Sequence, residues 1–270
     1  MYVLKANGEK EEFSRDKITN TCVRAGLSKK EALKVAKKVE SSVKEGTRTR
    51  DIYEMILHEI DKTDERSSFI FRIRESLAEI NPTSFEIYVE KILQAYGYKC
   101  EWNKLIMGKY VEHQVDIIAA KEETYLVEVK RHSNPHRFTG LGDCLQVQAR
   151  LDDIKAGNKE RKNNYKFSGA WIITNTKFSD HAKKYSKGIG LRLSGWGYQG
   201  NFSLDSMINN KRLFPVTILK INNDAKRKLL GKDIITIQDL TEIDDKKKKK
   251  LGIPEKELQS IFSQAKKLLM

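Results

Sequence analysis

Cysteine is scarce in this chain, and the cysteines that occur form no pattern. The 270 residues contain three of them, Cys22, Cys100 and Cys144, which are odd in number and far apart. The paired spacing that a structural zinc site needs does not occur. The sequence therefore predicts buried or free thiols in a reducing cytoplasm.

Long apolar runs are missing as well. No stretch approaches the roughly 20 apolar residues that span a bilayer, and residues 1–5 do not have the pattern of a secretory signal peptide. We therefore expect a cytoplasmic protein with no membrane partner.

Acidic residues are too few to balance the basic ones. There are 51 Lys and Arg against 37 Asp and Glu, which gives a net charge of +14. Such an excess favours a polyanionic partner, because neutralised phosphates release counterions. A solvated lysine surface without a ligand is the alternative interpretation. The length allows two or three small domains with cores of their own.

Two predicted neighbouring strands carry the most specific pattern. With a period of two, one face of the first strand is apolar (Val111, Val115, Ile117 and Ala119), and Asp116 lies opposite. In the second strand Glu128 and Lys130 share a face. The short polar link Lys121-Glu122-Glu123 favours an antiparallel hairpin, which brings the three charged residues together.

These three residues predict hydrolysis of a phosphodiester. Two nearby carboxylates repel and need a cation between them. Oxygen ligands suit Mg²⁺ or Mn²⁺, which keep water molecules for chemistry. A lysine beside the metal orients or deprotonates such a water.

The chain divides into three predicted segments. Residues 1–81 form a small α-rich unit, with a hairpin around Asn7-Gly8 and helices at about 14–26, 28–45, 50–62 and 66–79; Ser28 and Glu31 form a capping box. Asn81-Pro82 is the boundary.

Residues 82–222 are predicted to form an α/β domain. It begins with a helix that has an apolar stripe from Phe85 to Tyr96 and ends at Gly97. The two strands described above follow, then a loop from Arg131 to Gly142 and a helix around 143–155. The last elements are a strand at 170–174, a helix opened by Ser179 and a strand that contains Ile189, Leu191 and Leu193. Residues 223–270 are helical and basic.

The central segment resembles the Mrr-type restriction endonucleases, members of the PD-(D/E)xK nuclease fold. The residues that carry the resemblance are Phe85-Glu86-x-x-Val89, Gly97-Tyr98, His113-x-x-Asp116, Glu128-x-Lys130, Gln148 and the run from Trp171 to Ser179. The resemblance implies a restriction-endonuclease-like α/β core over roughly 83–215.

The resemblance also implies roles. Asp116, Glu128 and the Val129 carbonyl would bind the metal, and Lys130 would handle the attacking water. Glu86 would complete the acidic cluster, Gln148 would face the site, and His113 would touch phosphate or position Asp116.

Several alternatives stay open. Thr83 and Glu86 fit a capping box, which explains Glu86 without catalysis and leaves Glu90, one turn on, as the other helix acid. His113 also fits a structural hydrogen bond in the sheet, and Gln148 a plain surface position. Asp116, Glu128 and Lys130 also fit a solvated sheet face.

The N-terminal segment resembles the ATP-cone domain, a regulatory nucleotide site. The matching residues include Val3, Lys5, Asn7, Gly8, Phe13, Lys17, Ile18, Thr49 and Tyr53. The resemblance implies that the glycine turn lets the backbone approach the phosphates of the nucleotide and that the two lysines neutralise them. Phe13, Ile18 and Tyr53 would line the pocket of the base. Ala6 replaces the arginine common in the family, which puts affinity and nucleotide type in question. A cone kept only for packing or dimerisation is the alternative.

The C-terminal segment resembles a helix-hairpin-helix module, which grips the DNA backbone without reading sequence. Its matching pieces run from Leu229 to Leu240 and from Leu251 to Ile253. We expect Lys246, Lys247 and Lys248, with Arg131 and His132 after the site strand, to contact DNA. A helical cap on the nuclease domain is the alternative.

Together these features predict a Mg²⁺-dependent (or Mn²⁺-dependent) endodeoxyribonuclease, restriction-like of type II or IV, regulated by ATP or dATP. We expect it to act on DNA as a homodimer or higher homo-oligomer. The alternatives are a nucleotide-responsive DNA-binding protein without catalysis and a structure-specific, resolvase-like nuclease.

Overall fold

A computed structural model describes residues 1–5, 8–198 and 202–269. Contacts divide the chain into two compact units, Met1–Ile73 with Ser260–Met270 and Arg74–Gln259. The predicted domain boundaries at 81/82 and 222/223 stay predictions. The three cysteines are free, as predicted.

The N-terminal unit is a short hairpin followed by helices. Strands β1 (Tyr2–Leu4) and β2 (Lys10–Glu12) pair antiparallel, and α1 (Arg15–Arg24), α2 (Lys29–Ser42), α3 (Thr49–Thr63) and α4 (Glu65–Phe71) follow. The predicted capping box of Ser28 and Glu31 opens α2.

The helix predicted over 66–79 is divided in two. The N–H of Arg72 donates to the carbonyls of both Ser68 and Phe69, at 3.2 and 3.0 Å, and this tightened turn ends α4. Helix α5 (Ile73–Glu79) then begins separately.

The second unit is built on a mixed five-stranded sheet, which confirms the predicted α/β class. Helix α6 (Pro82–Ala95) leads into the antiparallel strands β3 (Lys99–Met107), β4 (Glu112–Ala120) and β5 (Thr124–Lys130). Strands β7 (Gly169–Thr174) and β9 (Arg192–Ser194) continue the sheet in parallel. The strand order is β3-β4-β5-β7-β9.

The parallel half of the sheet needs crossovers, which two helices supply. Helix α7 (Leu141–Lys159) connects β5 to β7, and α8 (Asp180–Ile189), capped by Ser179 as predicted, connects β7 to β9. A second, two-residue parallel pair joins β6 (Phe138–Thr139) and β8 (Lys177–Phe178).

Two predicted boundaries are wrong in this region. The predicted loop ending at Gly142 contains β6 and the start of α7, because the Asp143 carboxylate accepts the Gly140 N–H at 3.0 Å and caps the helix early. Ile189 belongs to α8, which ends at Gly190 in the left-handed conformation (φ 74°), so β9 begins only at Arg192.

Helix α9 (Leu204–Lys211), which was not predicted, follows the sheet. The segment 223–270 contains helices, as predicted: α10 (Asn223–Leu230), α11 (Ile237–Glu242), α12 (Asp245–Lys250) and α13 (Glu255–Leu269). Within the second unit they are fixed to α5 and α6: the Thr217 hydroxyl donates to the Ser76 carbonyl at 2.7 Å, and Lys91 pairs with Asp239 at 2.8 Å. Across the described ranges, no helix has the length and apolar character that a membrane crossing requires.

Two glycines of α7 predict opposite effects of the same substitution. A Cβ at Gly157 would lie 2.5 Å from the Gly108 carbonyl carbon, whereas a Cβ at Gly142 meets nothing within 4 Å. We expect Gly157→Ala to destabilise the protein by roughly 1–3 kcal/mol through overpacking. Gly142→Ala should stabilise it by roughly 0.5–1 kcal/mol through lower chain entropy in the unfolded state.

Denaturant unfolding of the two variants measures both effects. Equal shifts for Gly157→Ala and Gly142→Ala would contradict the close packing of α7 against Gly108.

Candidate active site

The predicted hairpin of β4 and β5 is confirmed and brings Asp116 beside Glu128. The register pairs Ile117 with Val127 and Ile118 with Leu126, around a turn at Lys121-Glu122-Glu123. Asp116 is the next residue outward, and its Oδ2 accepts the Val129 N–H at 2.8 Å. The two acids therefore lie where β4 separates from β5.

The predicted apolar face of the first strand is wrong at two positions. Val111 precedes β4 and is 56% exposed, and Val115 packs in one core cluster with Ile118. The β3–β4 ladder skips Asn103 and Asp116, and Asn103 has a left-handed φ of 53°. One residue is skipped on each strand, so the register is kept and the β3–β4 pairing is interrupted at Asp116 itself.

Glu128 is buried, at 5% exposure, and is bound by two cations. The Lys130 ammonium lies 2.8 Å from Oε1, and the Arg150 guanidinium contacts Oε2. Sequence reasoning missed Arg150. The available signal was its place on α7 beside the buried positions Val147, Leu151 and Ile154, which directs the side chain toward the sheet.

The environment raises the pKa of two further carboxyls. Burial, together with the charge of Glu128, raises the pKa of Asp116 to about 7. Burial likewise raises the pKa of Glu86, again with a contribution from Glu128. Glu86 and Glu128 both act on Asp116, so the three charges sense one another.

The predicted capping box at Thr83 is wrong. Asn81 caps α6 by accepting the Ser84 N–H at 2.9 Å, with Pro82 in the first turn, so Thr83 lies inside the helix. Glu86 instead accepts a hydrogen bond from the Trp102 indole at 3.1 Å. The alternative explanation of Glu86 is thereby removed.

Glu86, not Glu90, is the helix acid coupled to Asp116. Burial raises the pKa of Glu90 too, but its neighbours in charge are Lys91 and Cys100. In the part of the chain that the structure describes, no three His, Cys, Asp or Glu side chains are close enough to hold a metal ion together. Glu86 therefore lies in electrostatic reach of Asp116 and Glu128, but the three acids do not together form a metal-binding group.

His113 and Gln148 have other partners than the acids. The His113 Nε2 lies 2.8 Å from Asp153 on α7, and Gln148 donates to Asp152 at 2.8 Å. Helical spacing puts Gln148 and Arg150 on opposite flanks of the buried stripe of α7. The contact with Asp153 fits the structural interpretation of His113. Arg150, and not Gln148, is the residue of α7 that contacts Glu128.

The residues predicted to contact DNA differ in accessibility. The Arg131 guanidinium donates to the Ala78 carbonyl. His132 is held by Asn175 and by Thr139, 3.1 Å from its Nε2, and burial lowers its pKa. Lys246 and Lys247 are exposed on α12, whereas Lys248 pairs with Asp245 at 2.8 Å. Lys246 and Lys247 are thus accessible on the surface of α12, whereas Arg131 and His132 at the strand end are bonded to other groups of the protein.

Some of the residues predicted to bind a nucleotide lie on or beside the N-terminal hairpin. Gly8 turns with a φ of 83°, and Leu4 N–H donates to Thr47 at 3.0 Å, which lays the segment before Thr49 along β1. Lys5 and Lys17 pair with acids of the hairpin, Glu9 and Glu11.

Other residues of that site belong to the core. Val3 and Ile18 are buried in the hydrophobic cluster, with Phe13 and Tyr53 packed against it. Tyr53 stacks on Phe71 at 4.7 Å. The Ile18 side chain takes part in this packing, and its predicted contact with the base stays a prediction. Asn7 and Ala6 lie outside the described residues.

Three family models match the chain in succession. The ATP cone domain matches residues 1–73, the Mrr catalytic restriction endonuclease model matches 77–194, and the AF1548-like C-terminal model matches 214–269. The chain joins an ATP cone domain to an Mrr-type restriction endonuclease domain. Its third domain is AF1548-like, and the helix-hairpin-helix interpretation of that segment stays a prediction.

The relatives are archaeal proteins without an assigned activity. An uncharacterized protein of Archaeoglobus fulgidus is 29% identical over 180 residues, which cover 66% of this chain and 98% of the relative. A second uncharacterized protein of that organism is 58% identical over 38 residues, 14% of this chain and 81% of its own.

A solved structure has the same fold. The structure described as the crystal structure of protein of unknown function AF1548 is 29% identical, with a TM-score of 0.59, and the match covers 70% of this chain and 98% of that one.

The pKa of Asp116 predicts a pH-dependent stability effect of Asp116→Asn. In the folded protein this pKa is about 7 against an ordinary 3.8. Folding therefore opposes ionisation, so the wild type loses stability relative to the variant as pH rises from about 4 to 7. Asparagine still accepts the Val129 N–H. We expect Asp116→Asn to gain on the order of 3 kcal/mol at pH 8 and much less at pH 5.

Thermal unfolding in a chelator at both pH values measures this gain. Glu122→Gln in the exposed turn is the matched control and should change nothing. A stability gain for Asp116→Asn that is the same at pH 5 and pH 8 would contradict the assignment.

Proposed function

We propose that this protein is a metal-dependent DNA endonuclease whose activity responds to an adenine nucleotide bound at the cone. The observation that carries the proposal is the group of Asp116, Glu128 and Lys130 at the separation of β4 and β5, inside a restriction endonuclease domain.

The residues fit a divalent cation. Asp116 and Glu128 supply hard oxygen atoms, and the pKa of Asp116 is raised by burial and by a like charge, both of which a cation would offset. Mg²⁺ is commonly held by one or two carboxylates together with substrate phosphates. Asp116, Glu128 and the Val129 carbonyl would hold it, and it would supply charge stabilisation at the phosphate and acidify water.

The protein's own groups have distinct tasks in cutting. Lys130, anchored at 2.8 Å by Glu128, orients the attacking water and steadies the negative charge that develops on the phosphate. The Val129 N–H fixes the Asp116 carboxylate. Water attacks phosphorus and the 3′ oxygen leaves, so the products carry a 5′ phosphate and a 3′ hydroxyl.

DNA is held by positive charge. Lys246 and Lys247 on α12 are exposed and contact backbone phosphates, which positions the duplex without reading its sequence. The net charge of +14 adds a general attraction for polyanions.

Nucleotide acts as a regulator. The chain contains no G-x-x-x-x-G-K-[ST] loop, so the proposal does not include ATP hydrolysis. ATP or dATP shifts an equilibrium between states that differ in affinity for it.

A cleavage assay tests the catalytic assignment. Plasmid, linear and branched DNA are incubated with the full chain and Mg²⁺ or Mn²⁺. We expect Asp116→Ala and Lys130→Ala each to lower the rate by about 100-fold or more, since each removes part of the chemical machinery.

Matched controls are Glu122→Ala, which removes an exposed acid of the β4–β5 turn, and Lys99→Ala, which removes an exposed lysine of the neighbouring strand β3. Cutting that persists in both Asp116→Ala and Lys130→Ala would show that the site is wrong. DNA binding without cutting of any substrate would favour the non-catalytic alternative. Cutting of branched DNA but not of plasmid or linear DNA would favour the resolvase-like alternative.

Calorimetry with ATP, dATP and AMP tests the cone. We expect ATP and dATP to bind more tightly than AMP, because they offer more phosphate charge to Lys5 and Lys17. Lys17→Ala should weaken ATP binding by about tenfold. Lys30→Ala, at an exposed position in the first turn of α2, is the control. Absence of binding at millimolar nucleotide would reduce the cone to a structural domain.

A further inference from the structure

Arg150 is a half-buried cation that contacts the site and has no assigned role. Its side chain is 17% exposed and that of Glu128 is 6% exposed. The guanidinium contacts Oε2 of Glu128, while Lys130 occupies Oε1. Each carboxylate oxygen of Glu128 is therefore engaged by a different positive group.

The position of Arg150 is fixed by helix geometry. Val147, Leu151 and Ile154 pack α7 into the core, and Arg150 borders this stripe on the side toward Glu128. A guanidinium at this depth requires a partner, because an unpaired buried charge is strongly destabilising. Arg150 and Glu128 thus stabilise each other.

The distribution of cations over the two acids is uneven. Lys130 and Arg150 both bind Glu128, whereas Asp116 accepts a backbone N–H from Val129. A divalent ion shared by Asp116 and Glu128 needs a lone pair on a carboxylate oxygen of Glu128. Bound there, the ion would lie close to the Arg150 guanidinium, and the two positive charges would repel each other.

We infer that Arg150 is a resident counter-ion that competes with the divalent cation for Glu128. The guanidinium holds the Glu128 carboxylate in place, and it leaves Oε2 when a metal ion binds. The inference rests on the proposed function, since it concerns the same metal-binding acids. It makes Arg150 a positioning residue that sets the metal concentration at which the site fills.

Binding of Mn²⁺ to the full chain, followed by calorimetry or by the paramagnetic signal of the free ion, tests the inference. We expect Arg150→Gln to bind Mn²⁺ about tenfold more tightly than the wild type, because the competing charge is gone. Arg150→Lys keeps a charge but loses the planar fork, so its affinity should lie between the two. Lys159→Gln, exposed on α7, is the control for loss of a positive charge on the same helix.

Thermal unfolding in a chelator gives a second readout. Arg150→Gln should unfold at a lower temperature than the wild type, and added Mn²⁺ should raise its unfolding temperature by more than it raises that of the wild type. Should Arg150→Gln fail to fold, Arg150→Lys alone still carries the test, since weaker binding than the wild type contradicts competition.

The outcomes separate the two proposals. If the wild type binds Mn²⁺ and Asp116→Ala does not, but the Arg150 variants bind it equally or more weakly, competition by Arg150 is overturned and the proposed function stands. If the wild type neither binds Mn²⁺ nor cuts DNA, both fail.

Discussion

Charge compensation around Glu128 is the constraint on which the candidate site depends. Burial of a carboxylate is expensive unless it is paired and hydrogen-bonded. Here Lys130 comes from the same strand and Arg150 from α7, while the neighbouring Asp116 and Glu86 take N–H donors from Val129 and Trp102. Five elements, β3, β4, β5, α6 and α7, must therefore meet at one point, which ties the sheet topology to the chemistry.

The end of β5 is held rigidly where those charges converge. Asn175 binds the backbone of His132 on both sides, accepting its N–H and donating to its carbonyl, each at 2.8 Å. Below it, the buried hydroxyls of Thr139, Thr174 and Thr176 bond to one another. A fully satisfied buried network of this kind fixes one arrangement, so the chain leaving Lys130 has little freedom to move the ammonium group.

Local patterns in the sequence predicted the structural features that depend on residues close together in the chain. The hairpin around Lys121-Glu122-Glu123 and the caps at Ser28 and Ser179 follow from strand patterning and capping chemistry, and the hairpin brings Asp116 beside Glu128. Family resemblance contributed the order of the domains. The failures concern side chains whose partners are distant in sequence. His113 found Asp153 and Glu86 found Trp102, and neither pairing leaves a signal in a single chain. For Arg150 the apolar stripe of α7 was a signal, but only the packing of α7 determines which flank of the helix meets Glu128.

Helix α6 explains why the C-terminal residues are part of the scaffold and not an appendage. Its Glu86 bonds to Trp102 in the sheet, while the Tyr88 hydroxyl donates to the Leu213 carbonyl at 2.6 Å and Lys91 pairs with Asp239. Tyr88 is fully buried, so this anchor is shielded from water. An α-helix transmits a shift of one face to the other because its backbone is stiff. Helix α6, which carries Glu86, is therefore anchored at Leu213 and, through Asp239, to the AF1548-like domain.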